Sequence, residues 1–302
     1  MAGYIHEFFG YRATDTSSEA VAAARALECP FLHDRCEKTL SNKDVSGVCA
    51  IKPVTTAPVI CCPIRLYAED YAILRDVSDR AFGAGIPLEP GRAAKSVAQA
   101  TARPTVAVFG KKWGGELRLP QRAGRGSYFV DWVLALLDPT GNLTEFVAIE
   151  VQSIDTTGNY QTARRNLLSD GRSVTKDTVG LNWENVSKRI LPQLIYKGQV
   201  LQRESHCHKG LFFVSPVPVY RRIMDRLGGA DRLAAYPYQP ASITFMAYDY
   251  APGAPSPLGQ VVPISLATEH STTVFKVQES FSNVTLPSQD VYLEAITNAL
   301  AG

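Results

Sequence analysis

Apolar stretches rich in Val, Ile, Phe and Tyr alternate with polar turns in the middle of the chain and predict β-strands. The turn-forming sequence PTGN lies between two of these stretches, so the two strands are predicted to form a hairpin. Further strands are predicted near residues 242–249 and 259–266. The other predicted strands are TVAVFG from Thr105, SYFVDWVLALLD from Ser127, TEFVAIEVQSID from Thr144 and GLFFVS from Gly210.

Helical patterns occur between and around these strands. In TDTSSEAVAAARALECP, Thr16 and Glu19 have the spacing of a capping box before an alanine-rich run. AEDYAILRDVSDRAFG predicts a second helix that ends at Gly83. Other helices are predicted near residues 159–169, 183–203 and 219–227 and in SQDVYLEAITNAL. This mixture predicts an α/β or α+β fold with a mixed, mostly buried sheet.

The basic passage GAGIPLEPGRAAKSVAQATARP is rich in glycine and proline and follows the second predicted helix. Because such residues interrupt regular structure, we interpret it as a linker. It would separate an N-terminal module, residues 1–85, from a main domain, residues 86–302.

Composition places the chain among ordinary globular proteins, with 45% hydrophobic and 20% charged residues in a length of 302. No stretch approaches the roughly 20 apolar residues of a membrane span. The N-terminus lacks the basic start and apolar core of a secretory signal. We therefore expect a cytoplasmic protein, in which structural disulfides are rare.

Positive charge is concentrated on both sides of the predicted hairpin. From Gly91 to Arg125 the chain has eight lysines and arginines against one acid, and from Gln161 to Gly210 nine against four. Such clustering is what a site for a polyanion requires. From charge alone, solvated surface faces are an equally good interpretation.

Two carboxylates lie inside the apolar strands of the hairpin, at Asp131 and Glu150. A buried carboxylate is costly unless it is paired or binds a metal ion. Two converging carboxylates, with the Val151 carbonyl as a further oxygen ligand, suit Mg²⁺, which polarises phosphodiesters and activates water. The alternative is that both acids are structural and satisfied by arginine or by backbone groups.

Two further polar residues belong to this prediction. Gln152 lies two residues after Glu150, so both side chains point to the same side of a strand. Glu116 precedes Asp131 by 15 residues and is a candidate third carboxylate at the edge of the site. An exposed Glu116 paired with Arg118 or Lys112 is an equally good interpretation.

Five of the six cysteines fall between Cys29 and Cys62. Clustered thiolates in a cytoplasmic chain predict a tetrahedral site for zinc or iron. The spacing C-x6-C-x12-C-x12-C is not that of a common zinc finger, and small buried apolar cysteines are the alternative interpretation. One member of the Cys61–Cys62 pair would complete the set, and the spare member would pack inward.

Together, ECPFLHDRCEKT…SGVCAI…CCPIRLY and YFVDWVLALLD…FVAIEVQSID resemble the NotI-type restriction endonucleases. That family joins an N-terminal four-cysteine iron site to a PD-(D/E)xK nuclease core and carries Glu-x-Gln where most of the superfamily has Glu-x-Lys. The resemblance implies that Asp131 and Glu150 hold Mg²⁺ and that Gln152 takes the lysine position. It also implies that the cysteine ligands are Cys29, Cys36, Cys49 and Cys62. Val130 stands where the superfamily has proline. Iron rests on the resemblance alone, since four thiolates bind zinc equally well.

The resemblance implies a type II restriction endonuclease of a bacterial cytoplasm. It would act as a homodimer on a GC-rich palindrome, with a GGCC core, in double-stranded DNA. Guanine readout favours arginine and lysine, although some of these residues would hold only phosphates. The candidates are Arg164, Arg165, Arg172, Lys176, Lys188 and Arg189. The alternatives are a repair or recombination nuclease with the same core, and a DNA-binding protein that has lost catalysis.

Overall fold

The computed structural model describes residues 2–117, 129–251, 253, 257–283 and 288–301. The first strands are β1 Gly3–Phe8, β2 Tyr11–Arg12, β3 Glu28–Cys29, β4 Asp34–Arg35, β5 Val48–Pro53, β6 Val59–Ile60, β7 Leu88–Pro90 and β8 Thr105–Gly110. The later strands are β9 Trp132–Leu137, β10 Leu143–Val151, β11 Thr156–Asn159, β12 Thr178–Leu181, β13 Leu211–Pro216, β14 Ser242–Tyr250 and β15 Ile264–Thr273.

The α-helices are α1 Ser18–Ala26, α2 Ala68–Phe82, α3 Gly91–Thr101, α4 Gln161–Leu168, α5 Leu191–Leu201, α6 Val217–Arg226, α7 Val274–Ser282 and α8 Val291–Ala301. A 3₁₀ helix, Pro63–Tyr67, precedes α2, and a π-helix, Val186–Ile190, runs directly into α5. Within the ranges that the structure describes, no helix is long and apolar enough to cross a bilayer.

The largest sheet in the described part of the chain has seven strands in the order β15-β14-β13-β10-β9-β8-β7. Strand β10 pairs in antiparallel fashion with β9 and in parallel fashion with β13, so the sheet is mixed, as the sequence predicted. A parallel pair needs a long crossover, and the chain between β10 and β13 supplies one that ends in α5. Strand β10 is therefore central, and both of its faces are covered.

The predicted hairpin is present as β9 and β10. The Asp138 carboxylate accepts hydrogen bonds from the backbone N–H groups of Thr140 and Asn142, at 2.8 and 3.0 Å, and thereby closes the turn. Gly141 adopts a φ of +81°, which favours glycine at this position. The first two residues of the predicted strand before Asp131, Ser127 and Tyr128, lie outside the described residues.

Apolar side chains fill the space on both faces of the sheet. On one face, Trp132 and Ile149 pack with Val77 of α2. On the other face, Ala148 and Phe213 belong to a cluster that includes Leu194 of α5. This alternation between adjacent residues of β10 is what a strand buried on both sides requires.

A four-stranded sheet, in the order β2-β1-β5-β6, forms the N-terminal part of the described chain. Its residues Ile5 and Phe8 belong to the same core cluster as Phe213 of the large sheet. The fully buried Arg65 and Glu7 form an ion pair at 2.9 Å, which links the 3₁₀ helix to β1. The cysteine-bearing segments are thus packed directly against the rest of the protein.

Two expectations from the sequence are wrong in detail. The N-cap of α1 is Ser17, whose hydroxyl accepts from the Ala20 N–H, and not Thr16. The predicted linker contains β7 and α3. Helix α3 forms because its small residues Ala94 and Ala98 are fully buried, and Ala94 packs in the cluster with Ala107 of β8. Glycine and proline in this passage therefore mark the ends of short elements.

Candidate active site and cysteine cluster

The β9–β10 hairpin brings Asp131 and Glu150 together. Trp132 pairs with Ile149, so Asp131 immediately precedes β9 at the end where Glu150 lies. The Asp131 Oδ2 atom accepts a hydrogen bond from the Val151 N–H at 2.8 Å. Local strand pairing alone therefore places the two carboxylates side by side.

The Glu150 carboxylate is almost fully buried, with 5% of its side chain exposed, and both of its oxygens accept hydrogen bonds. The Gln152 Nε2 atom donates to Oε1 at 3.0 Å. The Lys197 Nζ atom lies 2.5 Å from Oε2 and forms a salt bridge with it. A buried carboxylate is thus compensated by one neutral and one positively charged donor.

Lys197 was not predicted from the sequence. It lies on α5, 47 residues from Glu150 along the chain. A weak signal exists, because Lys197 lies three residues after Leu194 and four before Leu201, both of which are buried. That spacing puts a lysine beside the apolar stripe of a predicted helix and therefore toward the interior.

The Asp131 carboxyl has an unusual pKa. Burial by surrounding protein atoms and, after it, the negative charge of Glu150 raise this pKa to about 6, against the opposing effects of the Val151 N–H and Lys197. By accessible surface, however, Asp131 is an exposed residue. Both observations hold if the carboxyl is crowded on one side and open on the other. A cation approaching from the open side would relieve the repulsion between the carboxylates.

Asp131 opens into a polar cleft of about 520 Å³. Val151 and Gln152 line the same cleft, as do Asn185 and Arg189. Lys38, Cys61 and Cys62 also contribute to its wall. The cleft therefore connects Asp131, though not the buried Glu150, with basic side chains and with the cysteine region.

The donor set fits a hard divalent cation. Two carboxylates and a backbone carbonyl offer oxygen atoms, which Mg²⁺ prefers, and Mg²⁺ keeps several waters. Within the ranges the structure describes, no group of three or more His, Cys, Asp or Glu side chains is arranged to hold a metal ion. The fit thus depends on two carboxylates, Asp131 and Glu150, and on the open side of the cleft.

Glu116 is exposed in the segment after β8. It is absent from the residues lining the Asp131 cleft. Lys112, one of its two suggested partners, instead forms a salt bridge with Glu37. Arg118, the other suggested partner, lies outside the described residues. The role of Glu116 as a third carboxylate stays a prediction.

The candidate DNA-binding residues occupy different environments. Arg189 is exposed, lines the Asp131 cleft and lies 3.6 Å from Asp155. Arg165 and Lys176 are exposed, and Lys188 pairs with Glu184 at 2.5 Å across one helical turn. These side chains are accessible to a polyanion.

Two other candidates are turned toward protein. Arg164 donates from Nε to the Ser46 carbonyl oxygen at 3.2 Å. Arg172 is buried, lies over the Phe8 ring and donates to the Ala20 carbonyl oxygen at 3.3 Å. In this arrangement the Arg172 guanidinium is not presented to a duplex.

Four cysteine thiols influence one another electrostatically. Burial, together with the negative charges of Cys62 and Cys36, raises the pKa of Cys29 to about 12. Burial and Cys62 likewise raise the pKa of Cys49 well above its usual value. The predicted set therefore lies in one region, although its thiols do not form a completed metal site among the described residues. All of these cysteines are free.

Cys61 has different neighbours. It packs in the core cluster that contains Ile5 and Val48, whereas Cys29 and Cys49 belong to another cluster, although the Cys61 N–H donates to the Cys49 carbonyl oxygen at 2.9 Å. The Lys38 ammonium donates to the Cys61 carbonyl oxygen at 2.8 Å and lies 3.4 Å from its sulfur. Cys61 and Cys62 are both buried and influence each other electrostatically, so the choice of Cys62 as the ligand stays a prediction.

A mixed α/β fold in which a hairpin places two carboxylates side by side, one of them in a polar cleft that a basic residue also lines, is typical of a metal-dependent phosphodiesterase. The sequence matches the family model described as restriction endonuclease NotI over residues 9–255. The match covers most of the chain, which therefore belongs to the NotI restriction endonuclease family. It is a type II restriction endonuclease, a site-specific deoxyribonuclease that acts on double-stranded DNA. No curated protein matches the chain significantly.

Proposed function

We propose that the enzyme hydrolyses DNA phosphodiesters with Mg²⁺ held by Asp131 and Glu150, within a PD-(D/E)xK-like core at residues 86–302. The observation that carries this proposal is the raised pKa of Asp131 beside Glu150 in an open polar cleft. Two carboxylates held this close repel each other, and a divalent cation turns that repulsion into attraction.

Each side chain has a distinct task in this proposal. Asp131 is fixed by the Val151 N–H, and Glu150 is fixed by Gln152 and Lys197, so the carboxylates are oriented before substrate arrives. A bound Mg²⁺ supplies Lewis-acid stabilisation of the phosphate and lowers the pKa of an attacking water. Gln152 donates one N–H to Glu150. Its amide has a further N–H and a carbonyl oxygen, which can position that water or a phosphate oxygen. Glu116 is proposed to act at the edge of the site.

The substrate in this proposal is a GC-rich palindrome with a GGCC core, cleaved by a homodimer. A two-fold protein matches a two-fold site, and exposed apolar side chains of α8, among them Tyr292 and Leu300, offer surface that a second copy would cover. Arg189 is the favoured DNA contact because it lines the cleft of Asp131. Arg165, Lys176 and Lys188 are proposed to hold phosphates or bases, with Arg164 at the margin of this surface.

We further propose that residues 1–85 form a metal-binding module in which Cys29, Cys36, Cys49 and Cys62 bind iron or zinc. The mutual electrostatic effects of these thiols support this set. Binding would displace their protons and contribute directly to folding free energy, because metal ligation holds loop-rich segments together. The adjoining cleft wall at Cys62 connects this module to the nuclease site.

The decisive experiment is digestion of plasmid DNA of known sequence, with and without Mg²⁺, followed by sequencing of the ends. We expect discrete fragments only with Mg²⁺, and ends that identify one palindrome containing GGCC. Smeared products would favour a repair or recombination nuclease. Discrete fragments at equal rates in excess EDTA would overturn the metal site, and a site without two-fold symmetry would overturn the homodimer.

A further inference from the structure

Lys197 brings a positive charge to the carboxylate pair from a different part of the fold. Its ammonium is 2.5 Å from Glu150 Oε2, while Gln152 holds Oε1 of the same carboxylate. The two donors therefore flank Glu150, and of these two only Lys197 carries charge. An amide cannot neutralise a carboxylate, so of these two donors only Lys197 neutralises the charge of Glu150.

The environment of Lys197 fixes the position of its charge. Lys197 lines an apolar cavity of about 340 Å³ together with Val200 and Leu201 of α5 and with Val133 and Phe146 of the hairpin. Only 16% of its side chain is exposed. A long side chain with its stem among apolar groups and its ammonium on a carboxylate is held in one geometry.

We propose that Lys197 is a positioning residue of the nuclease site, which orients Glu150 and neutralises it until the metal ion and the DNA phosphate arrive. This inference rests on the proposed roles of Asp131 and Glu150. Without the ammonium, the buried charge of Glu150 would be uncompensated and would add to that of Asp131 near a DNA phosphate, and repulsion would oppose binding. With it, the site carries less negative charge while Glu150 keeps a fixed orientation for catalysis.

The test compares Lys197→Met with Lys209→Met in the full-length protein. Methionine keeps an apolar chain of similar length and removes the charge. Lys209 is a matched control because it is also part-buried and also pairs with a glutamate of β10, Glu145, at 2.8 Å, at the opposite end of the strand. Thermal unfolding of both variants checks that each is folded.

The first measurement is binding, in EDTA, of a duplex that the unaltered protein cleaves. We expect Lys197→Met to bind about tenfold more weakly, because an uncompensated charge near a phosphate costs roughly that factor. Lys209→Met is expected to bind like the unaltered protein. Equal affinities of the two variants would overturn the proposed neutralisation.

The second measurement is single-turnover cleavage as a function of Mg²⁺ concentration. For Lys197→Met we expect the maximal rate to fall about 100-fold, as when one preorganising contact is lost. The half-saturating Mg²⁺ concentration should not rise, because removing a positive charge cannot weaken the attraction of a cation. An unchanged maximal rate with a raised Mg²⁺ requirement contradicts the proposal.

The third measurement is the maximal cleavage rate of a double variant in which the positive charge is moved from position 197 to position 152. In Lys197→Met/Gln152→Lys, a lysine reaches Glu150 from the other side, and we expect about tenfold recovery of the maximal rate over Lys197→Met. A double variant as slow as Lys197→Met would indicate a purely structural role and overturn the inference. If Asp131→Asn instead cleaves normally, the proposed metal site itself fails, independently of Lys197.

Discussion

The backbone N–H of Val151 donates a hydrogen bond to Asp131 Oδ2 at 2.8 Å. This bond lies just beyond the Trp132–Ile149 pair, with which the β9–β10 pairing ends. This bond fixes the exposed carboxylate relative to Glu150, its neighbour on β10. An asparagine at position 131 offers a carbonyl oxygen to the same N–H, so the geometry can persist when the charge is removed.

We therefore expect Asp131→Asn to reduce cleavage by about 10³-fold or more, because a ligand for the metal is lost. Sequence-specific binding of the duplex should be largely retained. A plasmid nicking assay and a gel-shift titration on the same preparation measure the two effects. Nicking at the rate of the unaltered enzyme would rule out the assigned role of Asp131.

The raised pKa of Asp131 also predicts an effect on stability. The pKa of this carboxyl is 3.8 ordinarily and about 6 in the folded protein. At a pH between these two values, the folded state therefore binds more protons than the unfolded state. Stability contributed by this group is therefore lost as the pH rises through that window. At a pH above that window, the metal-free Asp131→Asn variant should be more stable than the unaltered protein by on the order of 1 kcal/mol, after allowing for solvent screening.

Urea unfolding in EDTA at pH 7.5 and pH 4.5 measures this difference, which should shrink at the lower pH. Asp138→Asn provides the contrast, because hydrogen bonds from Thr140 and Asn142 lower the pKa of Asp138. Its substitution should therefore destabilise the protein at pH 7.5. A destabilised Asp131→Asn at that pH would mean that the carboxylates do not repel each other.

Gln152→Lys is expected to make the enzyme more demanding of Mg²⁺. A second ammonium next to Glu150 repels the incoming cation, so the half-saturating Mg²⁺ concentration should rise about tenfold. Gln193→Lys, which adds the same charge at an exposed position of α5, is the control for net charge. Strongly increased activity of Gln152→Lys would show instead that the amide is a compromise.

The arginines allow surface and interior roles to be distinguished by salt dependence. Arg189→Ala should weaken DNA binding and reduce the slope of log affinity against log salt by about 1, as expected for one lost phosphate contact. Arg172→Met should leave the slope unchanged, because the Arg172 guanidinium lies over Phe8 inside the protein. Binding titrations at several salt concentrations test both, and a reduced slope for Arg172→Met would contradict the buried placement.

The paired cysteines provide a further discriminating experiment. Cys62→Ser should lower the iron or zinc content of the purified protein, because Cys62 is in the proposed ligand set and its charge acts on Cys29 and Cys49. Cys61→Ser should retain the metal, because Cys61 is outside the proposed ligand set and packs in the main core cluster beside Lys38. Elemental analysis measures both. Loss of metal from Cys61→Ser alone would reverse the assignment, and metal-free unaltered protein would remove the site.

The hairpin was predictable because its two strands are consecutive. Apolar stretches interrupted by PTGN specify both strands and the turn, and antiparallel pairing of neighbours then places Asp131 beside Glu150. The same locality explains the success with α2, which ends before Gly83 as predicted. It also explains why the linker interpretation was wrong. Helix α3 depends on the burial of Ala98 and of Ala94, which packs with Ala107 of the sheet, and a local pattern of glycine and proline does not reveal this burial.

The sequence by itself determined the mixed α/β class, the hairpin and the resemblance to the NotI family, because these depend on short-range patterns and on motifs. Only the tertiary structure decided that Lys197 meets Glu150 and that Arg172 is buried. Both depend on how distant segments pack. The crossover between the parallel strands β10 and β13 brings α5 back across the sheet, and burial favours the one arrangement in which the Lys197 charge is compensated.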